Sequence, residues 1–462
     1  MSETQQSESG RAGGADRSSA GTVTSRPVAA RPQPVNTAAW LRKRGGGFEV
    51  GPAPYTHPGD NEIVVRNHAV AVNPLDWGIQ LAGSFLYRWL KYPAVLGTDV
   101  AGDVVEVGPG VTRFRPGDRV LGHAVGVERD HNRHAEGAFQ DYTVLQANMA
   151  AQIPGSMPYE NAAVLPLTLS TAACALYEKD CLALEYPSLS PRPTGQVVLI
   201  WGGSTSVGSN AIQLAVASGY EVITTCSPRN FDYVKRLGAS QAFDYRSNAV
   251  AAEIVRALRG RTLAGALAIG DGSHRPCAEI VAASEGSKTL VFASVPNGPL
   301  DGLLQQRPSG FRLFRVFLGA GLSTVSFMRR SRRQGIRVKM VNGATLRANE
   351  VSKVVYEDFL PAALAAGRYQ AAPEPRIIGS GLQHIPAAMD AQIKGVSAAK
   401  IVVSLSDPRK LPGLPGRCPL IEGVGNQEED HRDPGGPGQR HPGIVRRRAA
   451  REELADGRGG HP

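Results

Sequence analysis

The residues with the clearest chemical signature lie between Gly195 and Asn230. An apolar run of β-formers, Val197-Val198-Leu199-Ile200-Trp201, stops at the turn Gly202-Gly203-Ser204-Thr205-Ser206-Val207-Gly208. Ala211, Ile212, Leu214, Ala215 and Val216 then predict a helix closed by Gly219. A strand that ends in such a turn at a helix start suits a dinucleotide pyrophosphate, because backbone N–H groups there face the anion. A Cβ at Gly203 or Gly208 would hold the pyrophosphate away, or separate helix from sheet. The next strand, Glu221–Cys226, leads to Ser227-Pro228-Arg229-Asn230. An NAD site would place an acid about 20 residues beyond the glycines, for the ribose 2′-hydroxyl. Here position 227 is Ser, no acid adjoins it, and Arg229 is close. Hydroxyl, amide and guanidinium groups can hold a 2′-phosphate that an acid would repel, so the expected cofactor is NADPH. Ser227-Pro228 also reads as the cap of a helix beginning near Asn230.

The elements that must position this turn alternate. Helices are predicted near 230–237, 249–259 and 276–283, and strands at 241–245, 264–269 and 289–294. That order implies a doubly wound parallel sheet with ligands at the carboxyl ends of its strands. The span 193–220 has no charged residue, but its polar, glycine-rich centre argues against a membrane helix. Upstream, Glu62–Val72 alternates like a strand, and Gly and Pro punctuate the short strands that follow, as in a β-barrel-like domain.

Further strings carry a resemblance. Pro93 to Gly108 fits P-x-x-x-G-x-D-x-x-G-x-V-x-x-V-G and is followed by Pro116-Gly117-Asp118-Arg119-Val120. With Asn73-Pro74-Leu75-Asp76-Trp77, GAFQDY at 137–142, LPLTLSTAACAL at 165–176, GGSTSV at 202–207, SPRNF at 227–231 and Phe243-Asp244-Tyr245, the chain resembles the medium-chain dehydrogenase/reductase family. The similarity is to its zinc-free quinone oxidoreductase-like members and fungal trans-enoyl reductases. It spans about 36–300 and 342–405. The implied fold is α/β, a Rossmann doubly wound parallel sheet inserted into a GroES-like β-barrel domain. The implied divisions are 36–165 (GroES-like, first part), 166–345 (Rossmann) and 350–405 (return to the GroES-like part).

The resemblance also implies site residues. Gly203, Ser204, Thr205, Ser206, Val207 and Gly208 would line the phosphates. Ser227, Arg229 and Asn230 would hold the 2′-phosphate, and Tyr245 would pack near the adenosine. Leu75, Asp76 and Trp77, within the loop 73–78, would lie on the nicotinamide side with Thr171, and Val396-Ser397 would make a late cofactor contact. Leu167, Thr168 and Ser170 would meet the substrate. Ala172, Ala173 and Leu176 read as core. Relatives often have Lys where this chain has Gly78, a departure that removes a donor.

No metal is expected. Where zinc-bearing relatives have Gly-His-Glu this chain reads Gly97-Thr98-Asp99, and there is no four-Cys lobe. His123, His131 and His134 read as ordinary histidines of a surface loop. Without a Lewis acid, hydride addition to an activated C=C fits best, with the enolate charge stabilised by the protein. The expected function is an NADPH-dependent enoyl reductase-like enzyme of secondary metabolism. The alternatives are a quinone or alkenal reductase, or a cofactor-binding protein without turnover. Its expected partner is a small-molecule or acyl-thioester substrate, such as one presented by a polyketide synthase. No proton donor stands out; Tyr142 and Asp76 are candidates by type.

Composition bounds the rest. The chain has 462 residues, 51 Lys+Arg, 41 Asp+Glu and a net charge of +10. Its 42% hydrophobic content can fill a core. Five cysteines without metal-like spacing suit a reducing, cytoplasmic setting better than a disulfide framework. Residues 1–35 read as a disordered leader rather than a signal or transit peptide, and 406–462 as a disordered tail. The segment 302–349 holds ten Lys/Arg and no acid, so the remainder sums to zero. It reads as an anion- or membrane-binding insertion, a substrate lid, or non-native sequence from an imperfect gene model, with the family pattern resuming near Val341. A nucleic-acid or membrane partner is not expected, and the chain should act as a monomer or homodimer.

Overall fold

The computed structural model describes residues 34–270, 272–293 and 325–405. The expected tail, nearly all of the expected leader, and 302–324 of the basic segment lie outside them. The chain opens with β1 (Asn36–Leu41), β2 (Phe48–Ala53), β3 (Glu62–Ala71), α1 (Pro74–Leu86), β4 (Ala94–Val95), β5 (Asp99–Val107), β6 (Arg119–His123), β7 (Tyr142–Gln146) and β8 (Ala150–Gln152). β1 carries β2 and β4 in a small sheet. The larger sheet runs β15-β16-β3-β5-β6-β8, with β7 on β3, and its members β15 (Glu374–Ser380) and β16 (Ala399–Ser404) come from the far end of the described chain. Antiparallel pairs tie β16, β3, β5, β6 and β8 together. Helices α2 (Tyr159–Ala162) and α3 (Pro166–Tyr177) lead out of this sheet.

Inserted between β8 and β15 is a six-stranded parallel sheet. Its strands are β9 (Gln196–Trp201), β10 (Glu221–Cys226), β11 (Gln241–Asp244), β12 (Thr262–Ile269), β13 (Thr289–Ala293) and β14 (Arg337–Met340), in the order β11-β10-β9-β12-β13-β14. The intervening helices are α4 (Ser206–Ala217), α5 (Phe231–Arg236), α6 (Val250–Ala257) and α7 (His274–Ala283). The β9 run is uninterruptedly apolar because both its faces are covered. Val197, Leu199 and Trp201 join the cluster of Val250, Ile254, Cys277 and Ile280. Val198 and Ile200 join Ala211, Ile212 and Leu214. The fold class is the expected one, a doubly wound parallel sheet inserted into a β-barrel-like domain. No helix among the described residues is long and apolar enough to cross a membrane.

The basic segment needs correction where it is described. Residues 325–333 are helical, and β14 follows as the sixth parallel strand, pairing from Thr289↔Arg337 to Phe292↔Met340. Ile336, Val341, Ala344 and Leu346 are buried. The ordered pattern thus resumes before Val341. The charges of this part face outward on Arg329, Arg330, Arg332, Arg333 and Arg337, while Ile336 joins the core and Phe327 and Val338 pack against it.

Candidate active site

The turn between β9 and α4 is held by its own groups. The Thr205 hydroxyl accepts from Gly208 N at 3.0 Å and donates to Gly202 O at 2.8 Å, capping α4. Gly203 N bonds Thr225 O at 2.9 Å, and Gly202 N bonds the Thr225 hydroxyl at 3.1 Å, which moors the turn to β10. The first-turn N–H groups of Ser206 and Val207 have no acceptor within their helix, so they are free to meet an anion. A Cβ on Gly203 would stand 2.2 Å from Thr224 Oγ1, and one on Gly208 would stand 2.2 Å from Gly202 O. Of the two reasons for glycine here, the structure supplies close packing of helix, turn and sheet. Ser204 and Ser206 are half-buried, Thr205 is exposed and Val207 is buried.

At the end of β10, the Ser227 side chain makes no capping bond, so the helix-cap role does not consume its hydroxyl. Arg229 is exposed and pairs with no acid among the described residues. Asn230 Nδ2 donates to Ser397 Oγ at 3.1 Å, which brings the two sheets' segments together at two predicted positions. Val396 beside it packs against the barrel core. Tyr245 is half-exposed just past β11 and borders a cavity of about 390 Å3 with Trp201, Ser247, Val250, Gly272 and Ser273. This cavity opens at the carboxyl ends of β9, β11 and β12, the ligand-binding edge of such sheets.

The barrel side of the cleft is a buried polar cluster. Asn73 caps α1. Its N–H bonds Asp76 Oδ2 at 2.8 Å, and its amide donates to Thr98 Oγ1 at 3.0 Å and to Asp99 Oδ2 at 2.8 Å. Lys400 Nζ lies 2.9 Å from Asp99 Oδ2 and also donates to Asn73 Oδ1. Asp99 Oδ1 accepts from Leu167 N at 2.6 Å. Asp76 is fully buried, and its other oxygen accepts from Gly97 N at 3.2 Å. Burial, aided by nearby Asp99, pushes its carboxyl up to about 7. Leu75 is half-buried, Trp77 is buried in the barrel core, and a side chain at Gly78 would meet nothing within 4 Å.

Helix α3 forms the facing wall. Leu167 and Thr171 are half-buried, and the Thr171 hydroxyl donates to Leu167 O at 2.8 Å. Thr168 is buried; its hydroxyl donates to Leu165 O at 3.0 Å and accepts from Asn210 on α4 at 3.1 Å. Ser170 has no exposed surface. Its hydroxyl is shared between His123 Nδ1 at 2.9 Å and the Tyr356 hydroxyl at 2.8 Å. Thr168 and Ser170 therefore stand behind the wall, not on its face. Ala172, Ala173 and Leu176 are core.

Several expectations of location change. His123 is no surface residue: it ends β6, fully buried, and burial pulls its imidazole down to about 4. His131 is half-buried and bonded to the buried Glu136 at 2.7 Å. Tyr142 packs its ring on Tyr55 at 5.3 Å within a small cluster with Val64, Ala135 and Val144. Asp76, with both oxygens on backbone N–H groups, is a structural cap. The one grouping of three metal-ligating side chains among the described residues is Glu178, Asp180 and Cys181. Protein donors already use its acids: Asp180 pairs with Lys339, and Glu178 accepts from Thr345 at 2.6 Å and Asn349 at 2.9 Å. The described cysteines are free and buried, and burial pushes Cys181 up to about 12 and Cys226 up to about 11, far from a reactive thiolate.

Sequence reasoning missed Lys400, Tyr356 and Asn210 and read Asp99 only as a departure from zinc ligation. Lys400 carries no local signal, because its partners Asn73 and Asp99 are some 300 residues upstream. An isolated acid and lysine in apolar strands, Gly97-Thr98-Asp99 and Ala399–Ser404, were the available hint.

Comparison with known proteins follows this geometry. The alcohol dehydrogenase GroES-like domain matches residues 59–155. Over 374 residues the chain is 50% identical to dehydrogenase pigH of Monascus ruber, covering 80% of this chain and 100% of that protein. It is 41% identical over 374 residues to trans-enoyl reductase himH of Aspergillus japonicus, covering 80% and 98%. Among solved structures, an alcohol dehydrogenase superfamily protein from Novosphingobium aromaticivorans matches with a TM-score of 0.60 and 25% identity, over 80% of this chain and 100% of that one.

Proposed function

The chain belongs to the medium-chain dehydrogenase/reductase family, with fungal dehydrogenases and trans-enoyl reductases as its relatives, and from that premise we propose that it is an NADPH-dependent reductase of C=C bonds conjugated to a carbonyl. The observation that carries the cofactor preference is the end of β10. There a Ser227 hydroxyl that makes no capping bond, an Arg229 paired with no acid among the described residues, and Asn230, whose amide donates to Ser397, follow one another where an NAD site would need a carboxylate. The Ser206 and Val207 N–H groups would hold the pyrophosphate, Tyr245 the adenosine end, and Thr171 with the loop 73–78 the nicotinamide end. When bound, the cofactor supplies a hydride.

The reaction class rests on the donor set at the cleft floor. Asn73 and Thr98 offer an amide and a hydroxyl already bonded to each other, and both Asp99 oxygens are engaged, one of them with an ammonium. Zinc prefers Cys, His and free carboxylates, so these residues do not fit a metal, which supports reading the enzyme as zinc-independent. An acceptor already activated by conjugation needs no Lewis acid. An α,β-unsaturated acyl thioester, presented by a polyketide synthase of secondary metabolism, is the favoured substrate, and a quinone or alkenal is the second. Leu167 on α3 meets it, with Thr168 and Ser170 supporting that wall from behind. Buried free thiols suit a reducing, cytoplasmic setting.

NADPH consumption by purified protein against enoyl thioesters, quinones and alkenals tests this, with metal analysis of the same sample. Oxidation fastest with enoyl thioesters, without stoichiometric zinc, is expected. NADPH binding without oxidation across the panel would leave a cofactor-binding protein, a reading that Gly78 favours because it lacks the donor common in relatives.

A further inference from the structure

The parallel sheet can hold a dinucleotide by itself, but hydride transfer needs the barrel at a set distance from α3. Helix α3 begins at Leu165, whose side chain makes no capping bond, and its first helical residue is Pro166, which has no N–H. Leu167 N is therefore the first donor of the helix that needs an acceptor. That acceptor comes from the other sheet: Asp99 Oδ1, at the start of β5, lies 2.6 Å away. A carboxylate with no exposed surface persists as an anion only beside a counter-charge and hydrogen-bond donors. Lys400 on β16 provides the charge at 2.9 Å, with 4% of its own side chain exposed. The same ammonium reaches Asn73 Oδ1, the residue that caps α1.

We propose that Lys400 is a positioning residue of the cleft, whose ammonium holds Asp99 as the cap of α3 and Asn73 as the cap of α1, and so fixes the gap between the two walls in which substrate is reduced. The proposal rests on the reductase reading above. One cation ties together β16, β5, the start of α1 and, through Asp99, the start of α3. These last two elements carry Leu75, Trp77, Leu167 and Thr171. The network sets the loop 73–78 and α3, at the proposed nicotinamide end, but does not bond the turn 202–208 or the segment 227–230, where the phosphates would be held. Its loss should therefore separate turnover from cofactor affinity. Buried ion pairs are frequently replaceable by apolar residues without loss of stability, so stability alone does not account for the pair.

The double variant Lys400→Met with Asp99→Asn removes both charges and keeps a side-chain oxygen at position 99 to accept from Leu167 N. Thermal stability near wild type, an NADPH Kd raised by no more than about tenfold, and a kcat on the best enone lowered about 100-fold are expected, the scale for an ångström-level misplacement of reacting groups. An unchanged kcat, or a Kd that rises in step with the fall in kcat, overturns the proposal. Should that variant fail to fold, Lys400→Arg keeps the charge but substitutes a planar fork for a point ammonium. It should lower kcat about tenfold at unchanged Kd, and wild-type turnover in it overturns the proposal. If the wild-type protein reduces nothing, the reductase reading fails by itself. Positioning is then read from amide hydrogen exchange, which should accelerate at least about tenfold at Leu167 in the variant without change at 206–208; equal exchange in both proteins refutes it.

Discussion

Arg229 stands exposed past β10 with no acid to neutralise it among the described residues, next to a serine whose hydroxyl makes no capping bond. Arg229→Glu should raise the Kd for NADPH about 10- to 100-fold, the loss of a charge-assisted contact plus repulsion of a dianion, and leave NADH within about threefold. Titration of both cofactors checks this, and equal losses would remove the 2′-phosphate assignment. Two other buried groups make opposite statements about pH. His123 has an ordinary value of 6.5 and is held near 4 by burial, so the unfolded chain takes up its proton first as pH falls. Its contribution makes stability rise with pH between about 4 and 6.5. Asp76 has an ordinary value of 3.8 and is held near 7, so the folded chain retains its proton and its contribution makes stability fall over about 4 to 7. The two slopes oppose each other, each at most about 1.4 kcal/mol per pH unit. Relative to wild type, His123→Leu should tilt the stability–pH profile downward with rising pH, and Asp76→Asn should tilt it upward. Denaturant unfolding from pH 4.5 to 6.5 measures both tilts.

At the scale of the element, glycines that look alike in sequence differ in what surrounds them. Gly208→Ala forces a Cβ to 2.2 Å from the Gly202 carbonyl, which neither backbone can relieve cheaply. A loss of about 1–3 kcal/mol by denaturant unfolding is expected. Gly78, inside α1, faces open space, so Gly78→Lys should add about 0.5–1 kcal/mol by restoring helix propensity. It would also return a donor to the nicotinamide side, and NADPH affinity should tighten. The parallel strands β9, β10, β12 and β13 were legible because strands buried on both faces are largely apolar and glycine turns punctuate them, whereas β11 is a half-buried edge strand. β14 was hidden. As an edge strand with one neighbour it tolerates Arg337 and Lys339, and its Arg-Val-Lys-Met sequence merges with the basic run before it. The strand, glycine turn and helix proposed for the cofactor were readable as structure because their residues are contiguous. The cleft floor was not, because Asn73, Asp99, Leu167 and Lys400 meet only after the barrel closes, and His123 was misplaced because β6 continues one residue past its apolar run.

For the whole molecule, the match to the Monascus dehydrogenase takes in all of that protein and 80% of this chain. The unmatched remainder is about the size of the two ends outside the described residues. A chain trimmed to 34–405 should keep the NADPH affinity and melting temperature of the full protein, as calorimetry would show. The charge excess of 302–349 belongs partly to the outward face of the sheet's last units, not to a general basic surface. The placement of Lys400 also has a consequence for how the protein is made. β16 closes the barrel against β3, and the cation that pairs with Asp99 among the described residues arrives with it, five residues from the end of the described chain. A nascent chain still short of residue 400 holds every described strand of the parallel sheet beside an unclosed barrel in which Asp99 lacks its counter-charge. Synthesis from the amino terminus therefore assembles the cofactor half first and the reaction cleft last, and a product cut short before β16 should be recognised as unfinished by the cell's proteases however well its parallel sheet has formed.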